Sequence, residues 1–375
     1  MKEGLFITCD VCSDKFPYPK SNPEHRHPEL ELGGVPINFW GEIFGLKIDE
    51  FIVDQNEIGI RKFHKLLPLD RTEIFSQNEG STPLIKLESL SSSINVFLKD
   101  ESENPTGSFK DRGMPLLVGE CCVLDKKRIA IPSTGNAAAS LVSYAKLAGI
   151  EPIIFLPKNV DKSKIKEIGE EATLIFDVDL IQSYEHFFDF CRKDEETHNA
   201  FPATNPIYIQ GLKTAAYEIY MQMNNKSPDW IILPCGSGGN ILGYYQGFKD
   251  LFNMGLISSF PKFVSVQIRG ADPIAYGIEN DISEELPVIS NPVYSKAEAI
   301  ASDTCFNYFK IKNMLKETNG FPISVSDSEI NDVKEYNRLE FSSRCVFPAL
   351  SLIKNEIKAG EAVLLVGTAK ARSEY

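Results

Sequence analysis

Three short runs of glycine, serine and asparagine constrain this chain most, because each joins an apolar β-rich segment to a helical one. Asn104-Pro-Thr-Gly-Ser-Phe-Lys-Asp-Arg-Gly113 follows Ile94-Asn-Val-Phe-Leu98. Ser133-Thr-Gly-Asn-Ala-Ala-Ala-Ser140 follows Arg128-Ile-Ala-Ile131, and Gly236-Ser-Gly-Gly-Asn240 follows Trp230-Ile-Ile-Leu-Pro234. A chain that turns repeatedly from strand to helix builds parallel sheets with helices on both faces. The same alternation continues through Pro152–Leu156, Ala172–Phe176 and Phe263–Ile268, with helices expected around Ser163–Gly169, Tyr184–Phe190 and Thr214–Asn224. Periodicity alone therefore gives α/β, and 375 residues, 43% of them hydrophobic, suffice for two such domains. Met1 to about Gln77 is irregular in pattern and reads as an N-terminal lobe.

Each junction has its own chemistry. Lys110 lies in a polar run between a strand and an apolar helix, where a shielded amine can condense with a carbonyl cofactor; an isolated lysine there would be a surface residue. The turn Ser133–Ala137 opens a helix expected from Ala137 to Leu147 and stopped at Gly149. Unpartnered N–H groups at such a helix start suit a carboxylate. Taken alone, the same run is a capped helix start, with Ser133 or Thr134 as the cap. In Gly236–Asn240 the glycines let backbone N–H groups converge on a phosphate, although the run lacks the spaced glycines of dinucleotide folds.

Charge and composition narrow the partners. The formal net charge of −13 argues against nucleic acid and anionic lipid. No apolar run reaches the roughly 18–20 residues that span a bilayer. The start, Met1-Lys-Glu-Gly-Leu-Phe-Ile-Thr8, is too short and polar for a secretory signal, so the cytoplasm is expected. Eight cysteines then read as free thiols. Cys9-Asp-Val-Cys12 is half of a zinc ribbon whose second pair is missing, and His25 and His27 are spaced too closely to complete it. No metal is expected, with zinc at Cys9 and Cys12 the minor alternative.

The Lys110 segment resembles the pyridoxal-phosphate (PLP) lysine segment of the threonine synthase group of fold-type II PLP enzymes, the tryptophan synthase β-like superfamily. Glu79-Gly-Ser-Thr-Pro-Leu-Ile85 resembles that group's E-G-x-T-P-L strand, and Gly59–Leu69 its G-x-W-R-Y-x-x-L-L-P segment. Asn205-Pro-Ile-Tyr-Ile-Gln-Gly-Leu-Lys-Thr214 resembles N-P-x-R-x-x-G-Q-K-T. The resemblance runs from about Gly59 to Thr368.

It implies two open parallel-sheet α/β domains with an N-terminal extension. The N-terminal lobe would be 1–77, the large PLP-binding domain 78–110 and 206–375, and the small inserted domain 111–205, with the cofactor in the cleft between domains. It implies PLP on Lys110, which would also act as base. Asn136 would lie beside the ring, and Gly236, Ser237, Gly238, Gly239 and Asn240 around the phosphate. Ser133, Thr134, Gly135 and Ala137 would bind the substrate carboxylate. Thr106, Ser108 and Arg112 would lie near a second, substrate phosphate. Arg112 reads equally as an ion-paired helix start, and Lys213 is similarly open.

The chain departs from the pattern near its end. The usual Thr-Gly pair is inverted in Val363-Leu-Leu-Val-Gly-Thr-Ala-Lys370, leaving Thr368 as the nearest hydroxyl for the pyridine nitrogen. Phe347 stands before Pro348-Ala349 where many relatives carry glutamate. These changes mark a divergent paralogue. The expected activity is conversion of O-phosphohomoserine and water to threonine and phosphate. The alternatives are β-replacement on serine or O-phosphoserine, of cysteate synthase or diaminopropionate type, a dehydratase, and a non-catalytic regulatory relative. A homodimer is expected.

Overall fold

The structure is a computed structural model, and it describes all residues except 10–14, 19–30, 33–34, 37–39, 47, 91–92, 170, 204, 335 and 372–375. The chain divides into two compact units, one of Met1–Glu79 with Lys110–Leu212, the other of Gly80–Phe109 with Lys213–Glu374.

The first unit is built on a four-stranded parallel sheet in the order Thr173–Asp177, Glu151–Pro157, Arg128–Pro132, Thr197–Asn199. Its two central strands are almost wholly buried, as their unbroken apolar runs require. Helix Asn136–Ala148 ends where the sequence stops it. Gly149 adopts a left-handed φ of 69° and donates its N–H to the carbonyls of Ala145 and Lys146. Helices Lys110–Val123 and Pro206–Leu212 pack closely because two glycines allow it. A Cβ on Gly113 would collide with the Tyr208 ring, and one on Gly211 with the Arg112 carbonyl.

The N-terminal stretch is more regular than its pattern suggests. Lys15–Pro17, Phe6–Cys9 and Trp40–Phe44 form an antiparallel sheet. Strands of three to five residues carry too few alternations to be recognised in sequence. Cys12, His25 and His27 lie outside the described residues, as does the Cys9 side chain, and with them the zinc alternative. Among the described residues no group of three or more His, Cys, Asp or Glu side chains could hold a metal.

The second unit holds a six-stranded sheet in the order Phe321–Val325, Lys262–Ile268, Trp230–Pro234, Ala362–Gly367, Asn95–Asp100, Leu84–Lys86. The first five strands are parallel, and only the edge strand Leu84–Lys86 is antiparallel. Its core includes Leu98, Ile232, Val264, Val266, Val346 and Leu365. Phe347 belongs to this core. Its ring stacks on Tyr336 at 4.1 Å between centroids, so the departure from glutamate at this position serves packing. Among the described residues no helix is long and apolar enough to cross a membrane.

Candidate active site

In the second unit, three loops leave the carboxyl ends of three adjacent parallel strands. Trp230–Pro234 pairs with Ala362–Gly367 with Ile232 opposite Leu365, and the latter pairs with Asn95–Asp100 with Gly367 opposite Asp100. Gly236–Asn240, Thr368 and the 104–109 turn therefore emerge on one edge of the sheet. Open α/β sheets bind ligands at that edge.

The 104–109 turn is tied down on both sides. The Asn104 side chain donates to the Glu101 carbonyl and carboxylate and accepts from the Gly80 N–H at 2.8 Å. Phe109 N–H donates to the Thr368 carbonyl and Lys370 N–H to the Gly107 carbonyl, with Ser108 bridged to Ala369. Ser108 is buried and Thr106 half-buried. This pairing brings Thr106 and Ser108 to the Thr368 segment.

Thr368 directly follows the strand end and is buried. Its hydroxyl lies 2.7 Å from that of Ser343, which also accepts the Ala369 N–H at 3.0 Å. Sequence reading missed Ser343, since nothing in the run Ser342-Ser343-Arg344 distinguishes it. Only the fold pairs it with Thr368.

Gly236–Asn240 forms the start of helix Gly239–Asn253. Gly238 has a left-handed φ of 89°, and a Cβ there would collide with Ile311; one on Gly236 would collide with the Ala299 carbonyl. Asn240 is only 7% exposed, yet neither its amide oxygen nor its amide nitrogen has a hydrogen-bond partner. Buried amides are normally satisfied. An anion held by the helix N-terminus would supply an acceptor for the Asn240 Nδ2. Lys213 lies elsewhere in this unit, paired with Asp250 at 3.0 Å.

In the first unit, Lys110 is the first residue of helix Lys110–Val123 and is half-buried. Asp111 beside it is fully buried and accepts from the Ser140 hydroxyl at 2.6 Å, which ties this helix to Asn136–Ala148. The structure thereby brings the Lys110 and Asn136 helices together. Arg112 is 1% exposed and lies in the field of the Tyr144 phenol.

Helix Asn136–Ala148 is not capped by Ser133 or Thr134. Its cap position is Gly135, with no side-chain capping bond, and Ser133 Oγ instead accepts the Gly135 N–H at 3.4 Å. Glu79 braces the same helix, accepting from the Tyr144 hydroxyl at 3.0 Å and from the Gln77 N–H at 2.8 Å. Burial pushes the Glu79 carboxyl above the usual carboxylate range. Tyr208, at the arginine position of the N-P-x-R pattern, is buried with its hydroxyl unpartnered; burial and Asp111 push its phenol pKa up.

Comparison with known proteins gives matches over most of the chain. The family model described as pyridoxal-phosphate dependent enzyme matches residues 75–368. Threonine synthase of Methanosarcina acetivorans is 34% identical over 307 residues, which cover 79% of this chain and 73% of that protein. Threonine synthase of Methanocaldococcus jannaschii is 30% identical over 298 residues, 77% of this chain and 72% of that protein. Among solved structures, a fungal L-serine ammonia-lyase from Rhizomucor miehei superposes with a TM-score of 0.67 at 21% identity, covering 78% of this chain and 94% of that one. Maize serine racemase gives 0.66 at 20% identity, covering 78% and 89%. At these identities the solved structures show the fold alone.

Proposed function

The chain belongs to the pyridoxal-phosphate dependent enzyme family, and from that premise we propose that it acts as a threonine synthase, converting O-phosphohomoserine and water to threonine and phosphate. The observation that carries the reaction is 34% and 30% identity to threonine synthases across about three quarters of the chain. That similarity does not favour the β-replacement and dehydratase alternatives or a non-catalytic relative.

The residues fit the cofactor. The unsatisfied Asn240 amide and the glycine turn at a helix N-terminus suit its phosphate. Bound PLP supplies an electron sink for charge developing on substrate carbon. In this proposal Lys110 would hold the cofactor, and its amine would take the substrate α-proton and move protons at the β- and γ-carbons.

The uncapped turn Ser133–Ala137 would hold the substrate carboxylate. Asn136 and Thr368 would help hold the cofactor. Thr106, Ser108 and Arg112 serve the substrate phosphate, which leaves from the γ-carbon as water adds at the β-carbon. A homodimer in the cytoplasm completes the proposal.

The test is phosphate release by the PLP-loaded protein with O-phosphohomoserine and, separately, O-phosphoserine. Release from the first with stoichiometric threonine is expected. Release from O-phosphoserine alone would move the assignment to β-replacement.

A further inference from the structure

The peptide joining Ser237 to Gly238 is held from outside the loop. Asn307 precedes helix Tyr308–Glu317 and is 3% exposed; its Nδ2 donates to the Ser237 carbonyl at 2.8 Å. In a trans peptide the C=O and the following N–H point in opposite directions. Drawing the Ser237 carbonyl to Asn307 therefore turns the Gly238 N–H away from it. Gly238 is left-handed, and Gly239 and Asn240 begin the next helix. This succession lets neighbouring N–H groups converge on one anion.

The segment carrying Asn307 also packs closely against the loop. Ile311, one turn beyond, occupies the space a Gly238 side chain would need. Ala299, on the segment leading to this helix, does the same at Gly236 with its carbonyl.

Resting on the assignment of Gly236–Asn240 to the cofactor phosphate, we infer that Asn307 is a positioning residue for phosphate binding. It touches no phosphate. It fixes the one peptide whose orientation decides whether the Gly238 N–H donates into the site or whether the Ser237 carbonyl, which would repel an anion, turns inward. A glycine on one side of that peptide makes the flip sterically accessible, so an external hydrogen bond has something to prevent.

The test compares PLP with pyridoxal, which lacks the phosphate. Full-length apoprotein is titrated with each, as wild type, Asn307→Ala, Asn307→Leu and Asn240→Ala. Leucine keeps the branched shape and heavy-atom count of asparagine and removes the donor, so it answers if alanine does not fold. Apoprotein melting curves check folding.

Both Asn307 variants are expected to weaken PLP about tenfold or more, the scale of one lost buried hydrogen bond, and pyridoxal by less than about twofold. The phosphorus resonance of bound PLP should shift as well. Equal weakening of both ligands would reduce Asn307 to a structural residue, and no change in either would remove its role altogether. The Asn240 variant separates the two levels. If it leaves the preference for PLP over pyridoxal intact, the phosphate assignment of the loop fails. If it erodes that preference while the Asn307 variants do not, only the inference about Asn307 fails.

Discussion

Replacing Glu218 by glutamine removes one charge from a pair that water does not reach. Lys99 and Glu218 are both fully buried, with Nζ 3.1 Å from Oε2. Lys99 also donates to the Thr82 carbonyl at 2.7 Å and to Gln222 Oε1 at 2.9 Å, while the other Glu218 oxygen accepts the Ser81 N–H at 2.6 Å. The cluster thus locks the Ser81-Thr82 turn onto helix Thr214–Gln222. At an effective dielectric of about 20, the gross attraction at this separation is about 5 kcal/mol, and desolvation of both ions offsets much of it. Stranding one charge is the larger effect, costing about 3–5 kcal/mol. Two neutral acceptors remain for Lys99, so Glu218→Gln should fall near 3 kcal/mol. Lys99→Met should cost more, because it strands the full charge of the buried Glu218 carboxylate. The double variant leaves no stranded charge and loses about two ordinary hydrogen bonds, roughly 2 kcal/mol. Urea unfolding of the apoprotein, followed by far-UV circular dichroism, closes this double-mutant cycle. Single variants costing under about 1 kcal/mol, or a double variant costing the sum of the singles, would refute the reasoning.

Two further outcomes follow from the same kind of accounting. Ser343→Ala strands the Ala369 N–H and leaves the Thr368 hydroxyl without its 2.7 Å partner; a stability loss of about 1–3 kcal/mol and a weaker PLP affinity are expected by urea unfolding and titration. Asp194 accepts from Thr197 and, at two oxygens, from Arg128, and these bonds hold its carboxyl below the usual range. A depressed folded pKa stabilises above the unfolded value and ceases to do so as pH falls through the folded one. Asp194→Asn should therefore destabilise the protein at pH 7, and that difference should shrink towards nothing as pH falls through the lowered folded-state pKa. A difference that persists unchanged at low pH would contradict the assignment.

The strands and turns of the core were legible because their chemistry is local. Trp230–Pro234 is apolar at nearly every position and buried at all five, and Gly236–Asn240 carries the glycines that its left-handed backbone and crowded neighbours demand. The Gly149 stop was visible for the same reason. The cap of helix Asn136–Ala148 was not, because a serine or threonine before a helix is only a candidate until backbone geometry selects one position. Ser343 and Asn307 were invisible for a different reason. Each acts on a residue far along the chain, Thr368 or Ser237, and a polar residue in a loop carries no mark of the carbonyl or hydroxyl it will meet. The short strands of the N-terminal sheet were missed for want of length.

The most direct test of the central claim asks which side chain holds the cofactor. Full-length protein is loaded with PLP, its visible absorption recorded, and the complex reduced with borohydride and digested for mass analysis. A visible band and a pyridoxyl mass on the peptide containing Lys110, both lost in Lys110→Ala, are predicted. A label on another lysine, or a band that survives Lys110→Ala, would contradict the account.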